Sequence, residues 1–161
     1  MTADWHDFFV ATTGAAAALA GLIIVAMSVN IGKIIAIPSM PSRAGATVGS
    51  LILIVVVAGA GLIPDQSLAA LGLETLIFAL AAAVLSVDAA WRIVAKRGDW
   101  PLGPSIVKAA VGPIQIAPFV IGGALLLAQN TDGLYWVAAG ILLVFIGSVV
   151  NAWVLLVEIL R

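Results

Sequence analysis

The chain has no cysteine, one histidine, one tyrosine, and charge on only 9% of its residues. Without cysteine there can be no disulfide, thiolate metal site or cysteine nucleophile. A single histidine leaves haem and di-metal chemistry short of ligands. The scarcity of charge excludes a water-soluble fold: soluble domains are about a quarter charged and near half apolar. Here the hydrophobic fraction is 63% and the mean hydropathy +1.23. Net charge is −1, so bulk charge gives no reason to expect nucleic acid as a partner. Enzyme signatures are also missing: His-Glu-x-x-His, a Gly-rich phosphate loop and Gly-x-Ser-x-Gly do not occur. His6 stands between Asp4 and Asp7, but Asp4 reads more simply as a helix N-cap beside an interfacial histidine. No metal and no cofactor is expected.

What the chain does have is long apolar runs. They predict an all-α, polytopic membrane bundle filling 1–161 as a single integral membrane domain with no soluble module. Five spans are expected at about 8–31 (with an extension toward Ile37 left open), 46–63, 68–91, 106–128 and 134–160. Each is near or above the roughly 20 residues that cross a bilayer core of ~30 Å. Helices are the plausible spanning form, because a single strand cannot satisfy its own backbone in lipid, and the alternating segments of a membrane β-barrel are absent. Met1 to Asp7 carries two aspartates and no basic residue. That is the wrong charge for a secretory signal, so the first run is expected to be retained as a span.

Charge is sorted by side. Lys33, Arg43, Arg92, Lys96, Arg97, Lys108 and Arg161 all fall in connectors 32–45 and 92–108 or at the C-terminus. The N-terminus and connectors 64–67 and 129–133 hold Asp4, Asp7, Asp65 and Asp132 and no basic residue. By the positive-inside rule the basic side is cytoplasmic, which places the N-terminus outside and the C-terminus inside. Trp5, Trp91, Trp100 and Trp136 fall near span ends, as an interfacial aromatic belt requires. Span four contains Pro113 and Pro118, each of which removes a helical donor. A kinked span is expected; the alternative is four spans plus a re-entrant segment, which would move the C-terminus outside.

The small and polar residues fall on stripes. Gly14, Ala18, Gly21, Val25, Ser28 and Gly32 share a face of span one, Gly45, Gly49 and Gly59 a face of span two, and Gly140, Gly147, Asn151 and Glu158 a face of span five. Small residues let membrane helices approach closely. Such stripes serve either packing within the bundle or docking of another subunit. Span four presents Lys108, Gly112, Gln115, Phe119 and Gly122 on one face. Glu74 and Asp88 share a face of span three, separated by roughly 21 Å of helix, too far to act as a carboxylate pair. Asp88 is expected to pair with Arg92 one turn on. Glu74 is either an interfacial group or a buried functional one, since ionisable groups within spans are costly. By depth, Ser28, Asn30, Asp88, Gln115, Asn151 and Glu158 belong to the basic half, where they either bond locally or form one polar cluster. Arg92, Lys96 and Arg97, with Lys108, form a basic group able to hold anionic lipid headgroups.

The stretch 5–30, opening Trp5-His6-Asp7-Phe8-Phe9-Val10-Ala11-Thr12-Thr13-Gly14 and running through Ala18, Gly21 and Ser28 to Asn30, resembles the start of small multi-span proteins of unknown function in bacterial, especially actinobacterial, genomes. The resemblance covers the first span and brings no catalytic residues with it. It implies a multi-pass protein of the bacterial plasma membrane. An accessory subunit of a larger complex, such as a mycobacterial-type lipid importer, fits the size. The functional expectation is a non-enzymatic accessory or stabilising subunit, with the bilayer and other membrane subunits as partners. The alternative is a homo-oligomeric channel or small carrier. A lipid-modifying enzyme ranks third, for want of a nucleophile–base pair.

Overall fold

The computed structural model describes residues 3–36, 40–95 and 102–160. These form five long helices and one short one: α1 (Ala3–Val29), α2 (Ile31–Ala36), α3 (Met40–Ala60), α4 (Leu68–Ala95), α5 (Leu102–Leu127) and α6 (Gly133–Leu160). All five long helices contain stretches long and apolar enough to cross a membrane, so the expected all-α bundle of five spans is what the chain builds. α5 runs as one helix through Pro113 and Pro118, in keeping with a span and not a re-entrant segment.

The helix ends differ from the sequence reading where local chemistry is strong. Span one does not continue smoothly past Ile31. Asn30 interrupts it: the side-chain amide donates to the Ala26 carbonyl at 2.9 Å, and the Asn30 carbonyl accepts from Lys33 at 3.0 Å and Ile34 at 3.1 Å. The chain then restarts as α2, whose Ile34 is buried with Met40 and Ala44. α3 begins at Met40, ahead of the expected 46. Pro41 sits in its first turn, where a missing N–H breaks no helical bond. Asp65 takes a left-handed conformation (φ 55°) in the turn before α4. Ser67 caps α4 by accepting the Ala70 N–H at 3.2 Å, the role expected of Asp65 or Ser67. α5 ends on Gln129 (φ 62°), with Gln129 N–H bonded to Leu126 O and Asn130 N–H to Leu125 O, each at 2.9 Å. This is a Schellman closure. Asn130 Oδ1 then accepts the Asp132 N–H at 2.9 Å and turns the chain into α6.

α3, α4, α5 and α6 pack in sequence, with α3 also touching α6 to close the group, and α1 lies mainly on α3. One apolar core joins Phe9, Ile54, Val57, Ala79, Phe119, Leu126, Ile141 and Val144 across all five long helices. The closest approaches run through glycine. A Cβ on Gly72 would stand 2.8 Å from the Gly123 carbonyl, so α4 and α5 touch backbone to backbone. A Cβ on Gly122 would stand 2.8 Å from the Gly133 carbonyl, and one on Gly140 would stand 2.6 Å from the Phe119 ring. Bare backbone at these points is what lets helices associate in lipid, where apolar burial gives little drive. At the acidic end Trp5 meets Tyr135 edge-on at 5.1 Å and Phe8 at 5.8 Å. Phe9 fills the space beside Gly61. These rings tie the start of α1 to the start of α6.

Candidate functional site

The polar residues that converge do so at the basic end of the bundle. α3 and α5 begin there and α4 and α6 approach it, so residues 43–50, 86–93, 109–116 and 151 come to one level. They enclose a cavity of ≈ 50 Å³ lined by Arg43, Thr47, Ser50, Ser86, Gln115 and Asn151 among apolar neighbours that include Ala109. That is room for a few waters or one small solute. Among the described residues no carboxylate lines it.

Its walls are built upward from helix periodicity. Arg43, Thr47 and Ser50 lie at steps of four and three on one face of α3. Thr47 Oγ1 donates to the Arg43 carbonyl at 3.0 Å, and Ser50 Oγ donates to the Thr47 carbonyl at 2.9 Å. Those hydroxyl protons are therefore spent on their own helix, while the oxygens still accept. Asn151 Nδ2 donates to Thr47 Oγ1 at 3.3 Å, a polar tie from α6 to α3. Ser86 is buried, and its Oγ has no hydrogen-bond partner among the described residues. It lies against Gly112, where any Cβ would collide with it. Gln115 is 8% exposed, and its amide is seated on Gly147. Pro113 has no N–H to offer the Ala109 carbonyl on the cavity wall.

The remaining site residues separate. Asp88 and Arg92 form the expected pair, Arg92 Nε donating to Asp88 Oδ2 at 2.7 Å, with both side chains roughly half exposed on the outside of α4. Glu74 is half-buried near the acidic end, where Gln66 Nε2 from the preceding connector donates to its Oε2 at 2.6 Å. A turn residue thus satisfies the carboxylate within span three. Ser28 and Asn30 are not in the cavity: Ser28 Oγ donates to the Ile24 carbonyl at 2.8 Å, and Asn30 bonds its own helix as described. Of the six residues grouped by depth, Gln115 and Asn151 come together. Thr47, Ser50 and Ser86 join them unannounced. The spacing of Thr47 and Ser50 was the available signal, but nothing in the sequence says which faces of which helices meet. Lys96 and Arg97 lie outside the described residues, as do the side chains of Lys108 and Glu158.

The stripes also divide. Gly140 and Gly147 receive Phe119 and Gln115 of α5, and a Cβ on Gly49 would stand 3.0 Å from Leu85 of α4. Gly14, Ala18, Gly21 and Gly45 are exposed on outer faces, and each of those three glycines has nothing within 4 Å of a built Cβ. No group of three or more His, Cys, Asp or Glu residues able to hold a metal is found among the described residues.

A chain with this architecture is a multi-pass integral membrane protein. No protein-family model, curated protein or solved structure matches it.

Proposed function

We propose that this protein is a non-enzymatic accessory or stabilising subunit of a larger assembly in a bacterial plasma membrane, such as one that moves lipids. The observation that carries this is the contrast between two sets of glycines. Gly112, Gly122 and Gly123 on α5 and Gly133, Gly140 and Gly147 on α6 are filled by neighbours within the chain. Gly14 and Gly21, with Ala18 between them on α1, are open to the outside. A smooth, small-residue groove on a membrane helix suits close approach by another helix. The partner is another membrane protein seated along α1. The orientation follows from charge sorting, with the N-terminus outside and the basic connectors in the cytoplasm. On that side the basic sequence positions Arg92, Lys96 and Arg97 would serve to hold anionic headgroups.

Native electrophoresis of the protein in mild detergent, with crosslinking, tests this. A larger complex is expected, and it should be lost on introducing Gly14→Leu with Gly21→Leu while the melting temperature of the isolated chain holds. A lone monomeric band with no crosslinked partner would sink the proposal.

A second reading, a channel or small carrier, draws its support from the polar cavity between α3, α4, α5 and α6. Flux of a solute into liposomes, abolished by substitution of Gln115, is its expected signature. Tight liposomes for every solute tried would end it.

A further inference from the structure

We propose that the cavity between α3, α4, α5 and α6 is a binding site for a small uncharged solute that carries both hydrogen-bond donors and acceptors, of the class of simple amides and urea. Three features of its lining support this. First, a buried polar side chain is unspent. The Ser86 hydroxyl is buried and has no hydrogen-bond partner among the described residues, and the Gln115 side chain on the same lining is more than nine-tenths buried. A buried polar group without a partner is costly, and a ligand or water that bonds it removes that cost. Second, the lining offers both senses of hydrogen bond. Gln115 supplies two N–H groups and a carbonyl, Asn151 retains an N–H and a carbonyl beyond its bond to Thr47, Ser86 has an O–H, and the Ser50 oxygen and Ala109 carbonyl accept. Third, the described lining carries little bias of charge for an ion. Among the described residues no carboxylate faces the cavity, which disfavours a cation, and the cation that does, Arg43, is engaged in an interaction of its own. The space of ≈ 50 Å³ suits a small solute. An amide mirrors the side-chain amides that would hold it, with its carbonyl toward the N–H groups of Gln115 and its NH₂ toward the Ser50 and Ala109 oxygens.

The proposal concerns binding alone. It stands whether or not solute crosses the membrane, so binding without flux would defeat the carrier reading and leave the site intact. It is equally independent of any partner along α1.

Saturation-transfer NMR on the detergent-solubilised chain tests it, with acetamide as the probe and acetate as its isosteric anion. A saturable transfer to the acetamide methyl is expected, reduced by competing urea and absent for acetate. Gln115→Met and Ser86→Ala should each weaken binding by about fivefold, the loss of one buried hydrogen bond. Ser86→Ala removes only an oxygen, and so serves if the Gln115 variant does not fold. A stronger signal for acetate would overturn the neutral-solute assignment. No transfer for wild type would mean that the cavity holds water alone, and transfer unchanged in both variants would place acetamide elsewhere; either overturns the site.

Discussion

The side-chain amide of Gln115 occupies the volume that a Cβ on Gly147 would need, so α5 meets α6 through a polar group resting on bare backbone. One contact thus fixes two properties. The glycine sets the spacing of the helices, and the spacing holds an amide at the cavity wall.

Gly147→Ala should therefore displace Gln115 and destabilise the bundle by about 1–3 kcal/mol, the usual cost of overpacking a tight contact. Unfolding in mixed micelles, followed by circular dichroism, measures it. Shortening the amide in Gly147→Ala/Gln115→Ala should recover part of the loss. Equal loss in the single and double variants would show that the two residues do not act through each other.

Gly72 and Gly21 should respond in opposite ways. At Gly72 an added methyl runs into the α5 backbone, which cannot yield as a side chain end would, and a loss of about 2 kcal/mol is expected for Gly72→Ala. At Gly21 the space is open. Gly21→Ala should leave the isolated chain unchanged or raise its stability by up to ~1 kcal/mol through helix propensity. The same unfolding assay compares them.

Two carboxylates on α4 have unequal structural weight. Glu74 is half-buried and takes the Gln66 amide at 2.6 Å, so Glu74→Ala should cost about 1 kcal/mol, and Glu74→Gln less, because it keeps an acceptor. Asp88 pairs with Arg92 in a half-exposed setting, where Asp88→Ala should change stability by roughly 0–1 kcal/mol. A larger loss for Asp88→Ala than for Glu74→Ala would reverse this ranking.

The absence of native cysteine makes the orientation directly measurable. Ser67→Cys and Asp132→Cys should react with a membrane-impermeant maleimide on intact cells, and Lys33→Cys only after permeabilisation. Reaction of Lys33→Cys alone on intact cells would invert the topology.

The five spans were legible because an apolar run of membrane length has few alternatives. The side-chain pairing of Asp88 with Arg92 was legible because it lies within one helix. Packing was harder to read. Gly14, Gly21, Gly140 and Gly147 share the same small-residue spacing, yet the first two face outward and the last two are covered. Periodicity defines a face; it does not say what lies against it. Gly72, Gly123 and Gly133, which make backbone contacts, stood outside the stripes altogether. The cavity was half legible for the same reason. Amides such as Gln115 and Asn151 are conspicuous in a membrane span. Thr47, Ser50 and Ser86 pass for filler, since a hydroxyl can satisfy itself on its own helix, as Thr47 and Ser50 do.

The turn between α5 and α6 has a consequence for how the protein is made. Its closing bonds, Gln129 to Leu126, Asn130 to Leu125 and Asp132 to Asn130, are all local. The glycine contacts that follow, Gly122 with Gly133 and Phe119 with Gly140, climb the hairpin in order from that turn. α5, which carries two prolines and so lacks two helical donors, is the span least suited to stand alone in lipid. It can zip onto α6 as soon as α6 leaves the ribosome, and so enter the bilayer as half of a pair.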